Sequence, residues 1–424
     1  MLLRIRVNNI LSFGSETTFS LVPDVHLRTH LGHVVRVKQR KALRGAILFG
    51  PNAAGKSNLI KCVKLLCDMI DTNSCRIAAD SQFALTSKKT LAMSWCVEYS
   101  FRDHVFKYMF STDGRIVLSE KLFLLDDSDE ELLFSRFHKR AVVRFGNRLM
   151  NESWYSQRTL TADSLLLRKF ELDALSQQTD RMSGKNILCD AIEGIHSFNV
   201  IHSRSMLAPN VFNRLLNMSD FRTFLKQLMQ QSDVGISDMR WQKVSPVKLR
   251  YAGFAWTPTE SGIRIHNFKE SFIALQLNHG RIVSAFEFRF SHGGYLMRAD
   301  MESEGTLRLM HLSAFLYMMS LNEATWFVDE LDCHLHPYIS RELLRRALSL
   351  ETKSQLIVTA HDTNLMTRKL WRTDEVWLVE KRMDGTSNMN TVKQLRRVLS
   401  KKLSYGYING LYGAIPHVGG DMIR

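Results

Sequence analysis

The sequence predicts an α/β fold: a mixed sheet carrying a glycine-rich loop, an antiparallel β subdomain, and an inserted, mainly helical lobe. Three observations lead there. The apolar run Ala46-Ile47-Leu48-Phe49 passes through Gly50-Pro51-Asn52-Ala53-Ala54-Gly55-Lys56-Ser57 into apolar residues at helical spacing, Leu59, Ile60, Val63, Leu66, Cys67 and Ile70. Met93 to Phe101, Val105 to Phe110 and Arg115 to Leu118 are rich in aromatic and β-branched residues, and Arg102-Asp103-His104 and Thr112-Asp113-Gly114 separate them as turns, a meander pattern. Two later apolar strands, Thr325 to Val328 and Gln355 to Thr359, run into Asp329-Glu330 and His361.

At 424 residues the chain is long enough for two lobes. Its net charge of +15 points to an acidic partner, with nucleic acid the first candidate and an acidic protein the alternative; a basic surface that serves solubility is the plain reading. The six cysteines form no Cys-x-x-Cys pair, which argues against a zinc site and fits a reducing cytoplasm. Met1 to Val7 lacks the apolar block of a signal peptide. The longest apolar stretch, Leu309 to Leu321, is too short to span a bilayer, so no membrane association is expected.

In chain order, Leu2 to Val7 alternates at period two and predicts a strand. His26 to Arg44 reads as a loop or short hairpin, and Asp71 to Asp80 as a connector. Residues 1–125 then form the first part of the main domain, 126–245 the helical insert, and 246–424 the second part. Within the insert, Leu165 to Leu175 and Phe212 to Met229 read as helices, and no heptad array suggests a coiled-coil arm. Arg281 to Phe290 returns to strand.

The strand–loop–helix order gathers backbone N–H groups and a helix N-terminus at one point, an anion site. Gly50 and Gly55 permit the turn; Pro51, Asn52, Ala53 and Ala54 supply its backbone, with Asn58 just beyond. Lys56 offers a point charge to outer phosphates, and the Ser57 hydroxyl a Mg²⁺ ligand. Asp329 is placed to hold the metal shell, and Glu330 to orient and deprotonate a water; both also read as solvated acids in a strand-end turn. Ser303 and Gly305 precede a helix and form either a second anion site or a plain N-cap. His361 ends a buried strand, where it can sense a terminal phosphate. His334 and His336 invite a metal assignment but lack a third ligand nearby and read as a structural loop.

Taken in this order, the motifs resemble the ABC-type ATPase head of SMC-like and RecF-like proteins. The resemblance matches Gly50 to Ser57 to Walker A, Ser303 to Thr306 to a variant signature, Val328-Asp329 with Glu330 to Walker B, Leu331-Asp332 to the D-loop, and His361 to the switch histidine. Gln82 lies in the region of the glutamine loop. The runs Glu302 to Arg308, His334-Leu335-His336-Pro337, Thr359-Ala360-His361-Asp362, Asp374 to Trp377 and Tyr412 to Pro416 look like the stand-alone ATPases of anti-phage and abortive-infection systems: the RloA-like, PtuA-like, AriA-like and overcoming-lysogenisation groups. The match covers about residues 1–125 and 290–416.

That resemblance implies ATP and Mg²⁺ as cofactors and a homodimer or larger assembly with ATP between heads. Walker A of one copy would face Ser303, Gly305 and Asp332 of another. It also implies a separate effector protein encoded nearby. The residues after His361 are basic (Lys393, Arg396, Arg397, Lys401, Lys402) and hold no acidic cluster of the kind a TOPRIM nuclease needs, so no DNA cleavage is expected from this chain. The competing expectation is a DNA-repair or maintenance ATPase that grips duplex DNA; a transporter subunit fits the signature poorly.

Overall fold

The strand Gly45–Phe49 is buried along its whole length. It pairs in parallel with Gln355–Thr359 on one side and Val376–Lys381 on the other. Thr325–Val328 adds in parallel beyond Gln355–Thr359, and Ser387–Thr391 closes the far edge antiparallel to Val376–Lys381. With Phe198–Ile201 outside Thr325–Val328, the sheet has six strands. Strands buried on both faces read as unbroken apolar runs, which is why this part was legible. Parallel pairing brings the ends of three strands to one edge, so the residues after Phe49, Val328 and Thr359 emerge together.

The computed structural model describes residues 1–85, 92–126, 129–138, 142–149, 160–176, 183–202, 209–232, 235–245, 255–259, 262–266, 273–278, 281–395 and 402–416. The chain divides into two compact units. The first comprises Met1–Val200, Glu323–Leu331 and Glu351–Arg424; the second comprises Ile201–Asn322 and Asp332–Leu350. Arg396, Arg397 and Lys401 of the basic tail lie outside the described residues.

Besides the parallel sheet, the first unit holds a seven-stranded antiparallel sheet. Its order is Val142–Phe145, Glu130–Phe137, Val117–Leu125, His104–Thr112, Met93–Phe101, Leu2–Asn8 and Thr17–Ser20. Phe106, Tyr108 and Phe110 point inward, while Lys107, Met109 and Ser111 face out, the alternation of a sheet solvated on one side. Helix Lys56–Thr72 covers the inner face, and Trp95 Nε1 donates to Cys62 O at 3.0 Å. Buried Glu120 accepts from Tyr108 Oη and from the N–H groups of Leu166 and Leu167, capping helix Leu166–Ser176.

The division between units differs from the one read in the sequence. Glu130–Phe137 and Val142–Phe145 belong to the antiparallel sheet rather than to an insert beginning at 126. Their charges misled because they occupy the solvated face or pair locally: Lys107 meets Glu130 at 2.8 Å. Arg136 instead turns inward and donates to Ser164 O and Thr161 O. Strand Val117–Leu125 is also longer than Arg115 to Leu118, the run read from the sequence.

The second unit mixes helices with strands. Asp238–Val244, Ile273–Asn278, Arg281–His292 and Tyr295–Arg298 form one sheet, and Ala255–Thr259 pairs with Gly262–His266. The single helix expected over Phe212 to Met229 is two, Pro209–Leu216 and Ser219–Gln231. Met218 is extended between them, and Arg222 Nη1 donates to Leu216 O, satisfying a carbonyl at the break. Helices Glu304–Leu321 and Pro337–Ser349 complete this unit. Among the described residues no helix is long and apolar enough to cross a membrane.

Candidate nucleotide site

The loop after Gly45–Phe49 turns through backbone angles that side chains resist. Gly50 sits at φ +155, where a Cβ would lie 2.1 Å from Val379 O. Gly55 sits at φ +114, where a Cβ would lie 2.2 Å from Ser387 Oγ. Ala53 adopts φ +61 without being glycine, a conformation that costs on the order of 1–3 kcal/mol. Helix Lys56–Thr72 starts directly from Gly55, so its first N–H groups and its dipole face the loop. Lys56 is buried, and its Nζ donates to Gly50 O at 2.8 Å and Pro51 O at 3.0 Å, which lays the ammonium across the loop.

The acids approach from the neighbouring strands. Ser57 Oγ donates to Asp329 Oδ1 at 2.9 Å, joining the loop to the strand two places away in the sheet. Asp329 is buried, whereas Glu330, one residue on, is partly exposed. Glu330 is itself left-handed at φ +47. Its Oε1 lies 4.0 Å from His361 Nε2, and both side chains are open to solvent at the sheet edge. The structure thus brings Lys56, Ser57, Asp329, Glu330 and His361 to one edge within the first unit. The Ser57 hydroxyl and the Asp329 carboxylate are hard oxygen donors within 3 Å of each other, the ligand class Mg²⁺ takes.

Ser303, Gly305 and Asp332 belong to the second unit. Ser303 is the N-cap of Glu304–Leu321: its Oγ accepts from Thr306 N–H at 3.1 Å and meets Thr306 Oγ1 at 2.9 Å. Gly305 has a packing reason as well, since a Cβ there would lie 2.6 Å from His334 O. The carbonyl of Asp332 accepts from Leu335 N–H. His336 Nδ1 accepts from Tyr338 N–H as the N-cap of Pro337–Ser349, and His334 Nδ1 pairs with Glu304. His336 thus caps a helix and His334 has a local partner; no group of three or more His, Cys, Asp or Glu residues suited to a metal occurs among the described residues. Gln82 forms an isolated bridge with Ile10, two residues before Ser12.

Ser12 and Ser387 are residues the sequence reading missed. Ser387 Oγ donates to Ala54 O at 2.6 Å and meets Ser12 Oγ at 2.7 Å; Asn58 Nδ2 donates to Ser12 Oγ at 2.8 Å. These hydroxyls brace the back of the loop from two distant segments. Cys62 and Cys67, on the helix behind it, are buried among apolar residues; burial pushes the Cys67 thiol up to about 12 and the Cys62 thiol higher still, as expected of inert filler.

A glycine loop opening a helix, with its serine hydroxyl meeting the first of two consecutive acids at one sheet edge, defines a P-loop ATPase domain. The chain belongs to the family described as "AAA domain, putative AbiEii toxin, Type IV TA system", which matches residues 46–367. Solved structures with a similar course include an SmcHead bound to the C-winged helix domain of ScpA, at 13% identity and TM-score 0.48, covering 92% of this chain and 97% of that one. The SMC head domain from Thermotoga maritima aligns at 13% identity and TM-score 0.40, covering 92% and 98%. An Smc head domain with an extended coiled coil, bound to the C-terminal domain of ScpA derived from Pyrococcus furiosus, aligns at 11% and 0.42, covering 93% and 97%. Comparison with curated proteins gives no match.

Proposed function

We propose that this chain hydrolyses ATP at a composite site made by two copies, and that the cycle controls a separate effector in cytoplasmic anti-phage defence. The observation that carries the ATPase reading is the contact between Ser57 and Asp329 beside Glu330 and the Lys56 loop. Mg²⁺, when bound, would supply charge neutralisation at the phosphates. Backbone N–H groups of residues 52–57 and the Lys56 ammonium would hold the phosphates. Ser57 and Asp329 would hold the metal shell, and Glu330, backed by His361, would orient the attacking water and take its proton. Ser303, Gly305 and Asp332 of a second copy would cover the terminal phosphate, so ATP closes the pair and hydrolysis opens it. The family's description, which names a toxin and a Type IV TA system, is in keeping with the defence setting.

The net charge of +15 favours a second reading, an ATPase of DNA maintenance that binds duplex DNA. Phosphate release by the purified chain, with and without duplex DNA at rising salt, tests both. The first reading predicts turnover that Lys56→Ala abolishes and DNA leaves unchanged, together with phage protection in cells that fails in the same variant. Strong stimulation by DNA that falls steeply with salt supports the second reading. No turnover under any of these conditions refutes both.

A further inference from the structure

Thr359 lies at the end of strand Gln355–Thr359, fully buried, next to the acids rather than among them. Its hydroxyl has one proton to give and lone pairs to receive. Glu330 N–H reaches it at 2.8 Å and can only donate. The hydroxyl proton is therefore directed at Asp329 Oδ1, 2.6 Å away. Asp329 Oδ1 thus accepts from two hydroxyls, Thr359 and Ser57. The Thr359 carbonyl also accepts from Leu331 N–H at 3.1 Å. One residue consequently holds the chain on both sides of Glu330, through the left-handed turn at that residue. Two residues beyond Thr359, His361 approaches the Glu330 carboxylate.

We propose that Thr359 is a positioning residue for this site: its hydroxyl sets the Asp329 carboxylate for the metal and pins the Glu330 backbone so that the acid faces the phosphate loop. The inference rests on the ATPase reading above and adds a residue to it. The hydroxyl is fully buried and engaged by Asp329 and by the Glu330 N–H, so Thr359 acts through the acids. A strand-end threonine chosen only for β-propensity would be replaceable by valine, which has the same shape and a stronger preference for strands.

The test compares the full-length parent with Thr359→Val and Thr359→Ser. Three quantities are measured: phosphate release against Mg²⁺ concentration, affinity for a fluorescent ATP analogue in EDTA, and the melting temperature. The expected result for Thr359→Val is turnover lowered about tenfold or more with a higher Mg²⁺ requirement, while metal-free analogue binding stays within about twofold of the parent. Thr359→Ser, which keeps the hydroxyl, returns both turnover and Mg²⁺ requirement to within a few-fold. The melting temperature separates this from loss of the fold: equal loss of analogue binding and of turnover in Thr359→Val means a structural role only and overturns the inference. Parent-like turnover and Mg²⁺ requirement in Thr359→Val overturn it as well, leaving the ATPase reading intact. A parent that binds no analogue and releases no phosphate overturns the ATPase reading, and this inference with it.

Discussion

The Ser57 hydroxyl and the Asp329 carboxylate, 272 residues apart in the chain, meet at 2.9 Å. Everything proposed about chemistry depends on that meeting, because it joins the proposed phosphate loop to the acid proposed to hold the metal. Removing the acid while keeping its shape, Asp329→Asn, should leave metal-free nucleotide binding near parental and raise the Mg²⁺ requirement about tenfold or more. Titrating Mg²⁺ against phosphate release and against analogue binding checks this; an unchanged Mg²⁺ requirement contradicts it.

Lys56 reaches across the loop to Gly50 O and Pro51 O and is buried there. Lys56→Met should keep the apolar stem and lose the charge. Nucleotide affinity is expected to fall at least about tenfold, roughly 1.4 kcal/mol, with little change in melting temperature. Isothermal titration with ATP provides the measurement.

The two loop glycines should differ in tolerance. At Gly50 the obstacle is backbone, Val379 O, whereas at Gly55 it is the side-chain hydroxyl of Ser387. Gly50→Ala is therefore expected to destabilise more, by about 2–4 kcal/mol from overlap and strain together. Gly55→Ala combined with Ser387→Ala should recover part of the Gly55→Ala loss but not the cost of φ +114. Urea denaturation of the four proteins, parent included, orders them.

Helix Glu304–Leu321 carries a buried histidine, His311, packed on the Phe212 ring at 5.1 Å. Burial, and secondarily the nearby Arg308, lower its pKa from 6.5 to about 4. The folded state thus resists the proton that the unfolded chain accepts. This contribution to stability is complete above pH 6.5 and is lost as pH falls through about 4, on the order of 3 kcal/mol in all. His311→Met removes the titrating group. The stability of the parent minus that of the variant should fall between pH 7 and pH 4, as read by denaturant midpoints at each pH; a constant difference contradicts the assignment. Other groups titrate in this range, so the difference between the two proteins carries the test.

Much of the candidate site could be read from the sequence because its parts are contiguous. Gly50, Gly55, Lys56 and Ser57 fall in one short run, and Asp329, Glu330 and His361 each follow an apolar strand. Adjacent parallel strands convert those separate positions into one edge without further information. Ser12 and Ser387 could not be found this way. They meet across 375 residues of chain, and an isolated serine carries no periodicity or spacing. Strand Glu130–Phe137 was obscured by charged residues, and the break between Leu216 and Ser219 by apolar residues that continue at helical spacing on both sides of it. Ser303 shows a different limit: its capping bond to Thr306 is what an ordinary helix start requires, so the sequence pattern alone does not separate a cap from a phosphate contact.

The most direct test of the central claim, a triphosphate held between two copies, is the solution mass of Glu330→Gln by light scattering with and without ATP and Mg²⁺. A single-chain mass is expected without nucleotide and a mass of two chains or more with it, reversed when Lys56→Met is added. A single-chain mass in both conditions, with hydrolysis at the parental rate, would contradict the claim.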